Sequence, residues 1–374
     1  MLRTAIKFIL FDKPKSIGAL AGIIISLFLI GQQSGILIFL TDAMAPLPLN
    51  NKGYIWVTDN KTKDVNAINN LDIRIGHQIK SIPGVEQVYP LVIAGGTAKF
   101  SSGKSSGITL VGSQAPDFAG GPWRKYTARE ADMMEEGGVI TDYFDRDILG
   151  GIQQGDFFEI NGKRVRNVGL TKGIRSFGGG SLAFTNIEKA RYLTGFSRDE
   201  ASVFLVKIKA GAEEESIIRS ITTQMNGVKA WNAEELALSS IKSVIKTSGI
   251  ATSFGVLIIF AVISGLVIIG LTLYSAAIDR IKDYGTLKAI GATNSYITRL
   301  ILIQAAIFSI VGFAVGYILM EAFRIGMQQT GTYFRYTLWM QALFLIITFL
   351  ISFGGSLFAI RRINSLEPAQ VFRG

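Results

Sequence analysis

The chain has 374 residues, a net charge of +10, no cysteine and an apolar content of 49%. Much of the apolar content lies in long uninterrupted runs, which soluble globular proteins of this size rarely contain. The excess positive charge is concentrated in a few short segments beside those runs. This pattern argues against an evenly basic surface that binds nucleic acid, and we expect no nucleic-acid partner.

Four apolar runs predict transmembrane helices, at residues 16–40, 250–278, 300–320 and 338–360. Each is long enough for a bilayer core of about 30 Å, which takes roughly 20 residues to cross. None contains a charged residue, which argues against a proton- or ion-driven carrier. The first run could instead be a signal peptide cut near Ala45. Its length argues against this, since such signals have only about 7–15 apolar residues.

The distribution of basic residues predicts the orientation in the membrane. Residues 1–15, 279–299 and 361–374 each contain more basic than acidic side chains. Four spans place all three segments on one side, and the positive-inside rule makes that side cytoplasmic. Both termini are therefore predicted to be cytoplasmic, and the long polar region between the first two spans is predicted to face outward. Residues 1–15 are expected to form an amphipathic helix or an unstructured basic flank.

The outward-facing region shows a β-α-β pattern at both ends. Strands are predicted at 53–58 and 85–93 around a helix at 65–80, and again at 202–209 and 228–231 around a helix at 212–224. Two such units can pair into one ferredoxin-like sheet, formed here by residues 41–112 and 198–231. A hairpin is expected from residues 97–100 and 108–112.

Residues 113–197 are predicted to form an inserted, β-rich subdomain. Its strands are expected at 138–141, 156–160, 163–170 and 181–185, with helices at 142–149 and 187–193. Asn161-Gly162 is a strong hairpin-turn signal. The predicted fold class is thus a membrane protein with four transmembrane α-helices and a large α+β periplasmic domain.

A helix is predicted to begin at Asn232, whose side chain can cap it. Residues 232–278 would then be a stalk that runs directly into the second span. If continuous, this helix would be about 69 Å long at 1.5 Å per residue. The alternative is a break near Gly249, which the sequence leaves open.

Residues 279–299, the interspan segment, join the second and third spans. Ile281, Tyr284, Leu287, Lys288 and Ile290 recur at helical spacing, with Leu287 and Ile290 expected on one side. Gly291 can end this helix, and Asn294 can begin the next one. A short amphipathic helix here offers a surface on which a soluble partner can push, whereas the alternative is a solvated turn.

The first and third spans contain small residues four apart, a pattern typical of close helix packing or dimer contacts in lipid. These are Gly18, Gly22, Gly31, Gly35, Gly312 and Gly316.

Motifs for catalysis or metal binding are not found. The sequence has no G-x-x-x-x-G-K-[ST] phosphate loop, and the single His77 has no cysteine or second histidine with which to share a metal. Asp142, Asp145 and Asp147 lie close together, but a structural role is favoured over a metal site. Gly178-Gly179-Gly180 is interpreted as a flexible turn. We expect a chain that is not an enzyme and binds no metal.

The interspan segment resembles a family motif. Residues 283–292, DYGTLKAIGA, resemble the E-x-G-x-L-[KR]-A-[IL]-G-A motif of FtsX/MacB-type ABC transporter permeases. Residues 137–170 are similar to part of that family's outer domain. Asp283 replaces the usual glutamate, and Tyr284 replaces a smaller aliphatic residue. The end of the chain also resembles the family's carboxyl-terminal pattern, through Ala359, Arg362, Leu366, Pro368, Phe372 and Arg373.

The resemblance is greatest to the DevC group of stand-alone exporter permeases, and it implies a bacterial inner-membrane protein. It implies a homodimer that works with a cytoplasmic ABC ATPase dimer, a periplasmic membrane-fusion adaptor and a TolC-like outer-membrane protein. The partner ATPase would use ATP and Mg, and this chain would bind no cofactor itself. The residues implied to couple to the ATPase are Asp283, Tyr284, Gly285, Leu287, Lys288, Ala289, Ile290 and Gly291.

The implied function is export by mechanotransmission, in which ATP hydrolysis moves the periplasmic domain and drives out a lipid, glycolipid or hydrophobic compound. Membrane lipids are expected to surround the spans. Two alternatives stay open on the sequence. One is a lipoprotein-releasing permease of the LolC/LolE kind, and the other is an FtsX-like signal transducer that activates a cell-wall hydrolase.

Overall fold

A computed structural model describes residues 1–11, 13–177 and 180–364. The chain divides into two compact units. The helical unit contains Met1–Ile38, Ile250–Gln329 and Tyr333–Gly374, and the sheet unit contains Phe39–Gly249 and Thr330–Thr332. Several residues named above lie outside the described residues. They are Gly178 and Gly179 of the predicted turn, and Leu366, Pro368, Phe372 and Arg373 of the carboxyl-terminal pattern.

The secondary structure alternates between long helices and a large sheet. The helices are α1 (Leu2–Phe11), α2 (Lys13–Met44), α3 (Pro46–Asn50), α4 (Arg74–Lys80), α5 (Ile187–Thr194), α6 (Glu214–Gln224), α7 (Ala233–Ser248), α8 (Ile250–Asp279), α9 (Ile281–Ala289), α10 (Asn294–Gln328) and α11 (Leu338–Asn364). The strands are β1 (Ile55–Asp59), β2 (Leu71–Asp72), β3 (Val85–Lys99), β4 (Ser105–Ser113), β5 (Gly138–Asp142), β6 (Phe157–Ile160), β7 (Lys163–Thr171), β8 (Ser181–Asn186), β9 (Glu200–Ala201), β10 (Val203–Ile208) and β11 (Val228–Trp231).

In the described part of the chain, four helices are long and apolar enough to cross a membrane: α2, α8, α10 and α11. Each contains one of the predicted spans, so the prediction of four transmembrane helices is confirmed. The amphipathic helix predicted near the amino terminus is α1. Its Ala5 is buried, whereas Leu2, Ile6, Leu10 and Phe11 are exposed.

Glycines allow the helices of the helical unit to approach closely. A Cβ atom on Gly22 would lie 2.5 Å from Ile268 Cγ2 of α8, and one on Gly312 would lie 2.5 Å from Ile23 Cγ2 of α2. Gly31, Gly35 and Gly316 are crowded in the same way by Met320, Phe334 and Leu27, whereas Gly18 has ordinary space. These glycines therefore pack within one chain. Dimer contacts through them stay a prediction.

The contact between α8 and α11 involves two glycines that the sequence did not predict to pack closely. A Cβ on Gly355 of α11 would lie 3.0 Å from the Gly270 backbone nitrogen of α8 and 2.9 Å from Ile269 Cγ2. A Cβ on Gly270 would in turn lie 2.9 Å from Phe358 Cδ2. Gly270 and Gly355 have no glycine four residues away, so the spacing rule could not find them. The adjacent pair Gly354-Gly355 was the only signal.

One half of the sheet unit has the predicted ferredoxin-like topology. Its strands lie in the order β11, β1, β10, β3, and every neighbouring pair is antiparallel. Helices α4 and α6 cover one face through Ile79, Ile217 and Ile221, which pack with Ile55 and Phe204. Burying this apolar face is what holds the two β-α-β units together.

The other half of the sheet continues from β3 through β4, β8, β5, β7 and β6. β6 then pairs with β3, where Ala98 lies opposite Ile160 and Lys99 opposite Glu159. These six strands therefore form a closed ring around a buried apolar cluster that includes Leu110, Phe158 and Ala183. The predicted turn at Asn161-Gly162 joins β6 and β7. Both residues have positive φ, 50° and 75°, as a type I′ turn requires.

Three local predictions for the sheet unit were wrong. The helix predicted at 65–80 covers only Arg74–Lys80. Before it, the Asp64 carboxylate accepts a hydrogen bond from the Asn66 N–H, which favours a turn over a helix. The short strand Leu71–Asp72 then pairs with Glu200–Ala201. The strand predicted at 97–100 is the end of one long strand, Val85–Lys99. The helix predicted at 142–149 is only a short 3₁₀ turn, Tyr143–Asp145, which Asp142 caps by accepting from the Phe144 N–H.

The predicted stalk helix is interrupted at Gly249, which is the alternative that the sequence left open. Asn232 does cap α7 by accepting from the Glu234 N–H at 2.8 Å. However, α7 ends at Ser248, and Gly249 has the left-handed φ of 65° before α8 begins at Ile250. Glycine is the residue that adopts this conformation without a steric penalty. A single continuous helix over 232–278 is therefore not formed.

A buried ion pair supports one loop of the sheet unit. The Arg175 guanidinium pairs with the Asp145 carboxylate, whose side chain is only 3% exposed. Burial raises the pKa of Asp145, and the Arg175 charge opposes this shift. Replacing Arg175 by methionine should lower the free energy of unfolding by about 3 kcal/mol, because it leaves a buried carboxylate unpaired.

The matched control for that substitution is Lys207→Met. Lys207 pairs with Glu86, and both side chains are about half exposed, at 47% and 44%. An exposed pair of this kind contributes less than about 1 kcal/mol. Chemical denaturation of the purified full chain, followed by tryptophan fluorescence, measures both effects. Equal losses for the two variants would contradict the structural role of the Arg175–Asp145 pair.

Candidate functional site: the interspan helix

The interspan segment forms a distinct helix, α9, with a well-defined end. The Ala292 N–H donates to the Leu287 carbonyl at 2.9 Å, and the Gly291 N–H donates to the Lys288 carbonyl at 3.0 Å. Gly291 has a φ of 97°. These two hydrogen bonds and the left-handed glycine make a Schellman motif, so the prediction that Gly291 ends the helix is confirmed.

The following helix, α10, begins at Asn294 as predicted, but a different residue caps it. Thr293, and not Asn294, is the cap of α10, because its hydroxyl accepts from the Tyr296 N–H at 3.3 Å. Asn294 is the first residue inside the helix. Threonine and asparagine are both good caps, so the sequence alone could not distinguish the two positions.

Tyr284 holds the inner face of α9 against the amino-terminal helix. Its side chain is 3% exposed, and its ring centroid lies 5.5 Å from that of Phe8. Burial raises the pKa of Tyr284 to about 12, so the phenol is neutral at physiological pH. The Arg280 guanidinium lies over the Phe8 ring, 4.6 Å from its centroid. Gly285, the next residue along the chain, is also buried.

Lys288 attaches α9 to the end of α11. Its ammonium group donates to the carbonyl oxygens of Ile363 at 3.0 Å and Asn364 at 3.2 Å. These carbonyls belong to the last turn of α11, where a cation is favoured by the helix dipole and by unsatisfied acceptors. Desolvation lowers the pKa of Lys288. The lysine therefore links the interspan helix directly to a membrane-spanning helix.

The opposite face of α9 is exposed among the residues that the structure describes. Ile290 is 76% exposed, and Lys282, Asp283, Thr286 and Ala289 are also exposed. Leu287 is half-buried, so Ile290 rather than Leu287 is the main apolar group on the outside. A large apolar side chain surrounded by polar neighbours is typical of a surface that binds another protein.

The predicted coupling residues thus fall into two groups. Tyr284, Gly285, Leu287 and Lys288 face the helical unit or lie partly against it, whereas the others are exposed: Asp283, Ala289, Ile290 and Gly291. The structure adds Phe8 and Arg280, which the motif comparison did not include. The contacts of Phe8 with Tyr284 and Arg280 join residues far apart in the chain, and no local pattern indicates them.

The arrangement defines a class of protein: a membrane protein with four candidate spans, a large folded unit between the first two, and a short helix anchored on one face and free on the other. Residues 255–368 match the family model for the FtsX-like permease C-terminal domain. An uncharacterised ABC transporter permease from Methanocaldococcus jannaschii is 25% identical over 274 residues. These matches agree with the resemblance of the interspan segment to FtsX/MacB-type ABC transporter permeases: residues 255–368 are similar to an FtsX-like permease domain, and the chain is similar to an ABC transporter permease.

The match covers 69% of this chain and 66% of that relative, slightly less than two thirds of the relative's length. Two solved structures are similar to the sheet-rich region. The extracellular domain of the noncanonical ABC-type transporter YknZ from Gram-positive bacteria gives a TM-score of 0.35 at 16% identity, over 48% of this chain and 100% of that one. The periplasmic region of MacB from Actinobacillus actinomycetemcomitans gives a TM-score of 0.37 at 14% identity, over 53% of this chain and 94% of that one.

Proposed function

We propose that this chain is the permease subunit of an ABC exporter that works by mechanotransmission. The observation that carries the proposal is the two-faced α9 helix. Its inner face is attached to α1 through Tyr284 and to α11 through Lys288, and its outer face presents Ile290. A partner that moves the outer face must also move the helices attached to the inner face.

The partner that fits this surface is a cytoplasmic ABC ATPase. We propose that α9 and both termini are cytoplasmic, and the excess of basic residues in segments 1–15 and 279–299 supports this under the positive-inside rule. ATP and Mg would be bound by the ATPase and not by this chain. Because ABC ATPases act as dimers, one permease chain is expected for each ATPase subunit, and we propose that both are copies of this chain.

The proposed cargo is a lipid, glycolipid or other hydrophobic compound. The four predicted spans contain no charged residue that could line a path for a polar cargo through the bilayer. We propose that the sheet unit lies in the periplasm of a bacterial cell and moves cargo that has already reached it. An adaptor of the membrane-fusion type and a TolC-like outer-membrane protein would then complete the export route.

The docking surface can be tested by replacing Ile290 with aspartate. A carboxylate at the centre of an apolar contact loses its hydration without gaining a partner, so ATPase binding should weaken at least about tenfold. The measurement is co-purification, and then titration, of the partner ABC ATPase with the detergent-solubilised protein. Because Ile290 is exposed, the substitution should leave thermal stability unchanged.

Leu238→Asp is the matched control. Leu238 is a large apolar residue of α7 that is 55% exposed and lies outside the interspan segment. ATPase binding should be unaffected by this variant. If Ile290→Asp binds the ATPase as tightly as the unmodified chain, α9 is not the docking surface and the proposed mechanism is wrong.

A further inference from the structure

A narrow cleft lies in the helical unit beside α9. It is bounded by α1, the first turns of α2, the end of α8 and part of α10, and its cavity volume is about 30 Å³. Its polar lining includes Lys15, Arg280, Tyr284 and Gln304. Its remaining walls are mostly apolar, with Ala19, Leu273, Ile301 and Phe308 among them.

Two hydrogen-bond donors in this cleft have no acceptor within the described residues. They are Arg280 Nη2 and Gln304 Nε2, and both atoms are buried. Gln304 as a whole is only 8% exposed. Its amide group neighbours the Tyr284 hydroxyl, but Nε2 makes no hydrogen bond of acceptable geometry. Buried donors without acceptors are rare because their desolvation is not compensated, so an occupant that supplies acceptors is indicated.

The charge in the cleft favours an anionic occupant. The Lys15 ammonium group already pairs with the Asp279 carboxylate. Arg280 has no carboxylate partner in the part of the chain that the structure describes, and its guanidinium lies over the rings of Phe8 and Phe11, 4.6 and 4.8 Å from their centroids. These contacts fix the plane of the guanidinium while one nitrogen stays available. A phosphate oxygen is well suited to a guanidinium held in this way.

We propose that this cleft binds the phosphate of an anionic glycerophospholipid, with Arg280 and Gln304 as its donors. The adjacent helix α1 exposes Leu2, Ile6, Leu10 and Phe11, as an amphipathic helix lying in the membrane interface does. A lipid at this depth would place its glycerol and acyl chains along the apolar walls. Basic pockets between transmembrane helices on the cytoplasmic side are known to hold anionic headgroups.

The narrowness of the cleft limits the headgroup to a small one, such as glycerol. The lipid would contact Tyr284 and therefore the inner face of α9. It would stabilise the position of α9 against α1, independently of whether an ATPase binds the outer face. The proposal thus does not rest on the proposed transport function.

Native mass spectrometry of the full chain in detergent can test this site. Phosphatidylglycerol and phosphatidylcholine with identical acyl chains are titrated in parallel, and sodium phosphate is the third probe. We expect preferential retention of phosphatidylglycerol, and we expect the Arg280→Gln variant to bind it about fivefold more weakly. Gln304→Leu should also weaken binding, and it removes a donor without changing the charge.

Arg361→Gln is the control, because Arg361 is an exposed arginine of α11 that does not line the cleft. It should bind phosphatidylglycerol as the unmodified chain does. Circular dichroism and thermal unfolding without added lipid show whether each variant is folded. Equal retention of the two lipids by the unmodified chain, or full retention by both folded cleft variants, would overturn the proposal. If sodium phosphate displaces phosphatidylglycerol at a concentration equal to that of the lipid, the site binds free phosphate, and the proposal of a lipid site is overturned.

Discussion

Replacing Lys288 by methionine is expected to separate ATP hydrolysis from export. The variant keeps Ile290 and the exposed face of α9, so the ATPase should still bind and hydrolyse ATP. It loses the two hydrogen bonds from the ammonium group to Ile363 and Asn364 of α11. Hydrogen bonds to charged groups contribute about 1.5–3 kcal/mol, so coupling between the two helices should fall at least about tenfold.

The measurement pairs ATPase activity in proteoliposomes with export of the cognate hydrophobic compound from cells. Lys288→Arg is the conservative control, because a guanidinium can also donate to the carbonyls at the end of α11, and it should retain most of the export. Wild-type export by Lys288→Met would show that the attachment to α11 is not used. A loss of ATPase binding in the same variant would show instead that the substitution damages the docking surface.

A large loss of stability is expected from Gly355→Leu. A side chain at this position would meet the Gly270 backbone nitrogen at 3.0 Å from its Cβ, and backbone cannot move aside as a flexible side chain does. Overpacking of this kind costs about 1–3 kcal/mol, and separating α8 from α11 would expose further packed surface. Thermal unfolding of the detergent-purified chain should show a clear drop in Tm.

Gly326→Leu is the matched control. Gly326 also lies within a long helix, α10, but nothing lies within 4 Å of a Cβ built on it. Leucine has a better helix propensity than glycine, so this variant should be neutral or slightly stabilised. If both glycine variants lose the same stability, the close contact between Gly270 and Gly355 is not the cause.

The sequence predicted those parts of the fold that depend on local pattern. Long apolar runs have few alternatives to membrane-spanning helices, and all four lie within observed helices. The two β-α-β units give the expected ferredoxin-like order because short connections leave few ways to pair the strands. The caps at Asn232 and Gly291 were predictable because each depends on one side chain or one backbone angle.

Features that depend on contacts distant in sequence were not predictable. The ring closure between β3 and β6 requires pairing of Lys99 with Glu159, and no local pattern specifies that register. Gly249 could have stayed helical at a modest energetic cost, so its left-handed conformation is decided by its surroundings. In the helix predicted at 65–80, hydrogen bonds from polar side chains to the backbone outweighed helix propensity.

The candidate site was predicted in outline and not in detail. The motif placed the helix and its end correctly, but amphipathic spacing alone predicted that Leu287 and Ile290 would lie on one side of it. In the structure Leu287 is half-buried and Ile290 is 76% exposed. The anchoring contacts of Tyr284 with Phe8 and of Lys288 with Ile363 join segments that are far apart in the chain. Periodicity carries no information about such contacts.

The central claim is that movement of α9 is passed to the sheet unit. The chain has no cysteine, so spin labels can be attached specifically at two introduced cysteines. Tyr192 of the sheet unit, 64% exposed, and Arg361, an exposed residue at the end of α11, are suitable positions. The distance distribution between them is measured by pulsed electron paramagnetic resonance in the assembled complex, with and without trapped ATP. We expect nucleotide to shift this distribution in the otherwise unmodified chain but not in the Lys288→Met variant. An identical distribution with and without nucleotide in the functional complex would contradict mechanotransmission.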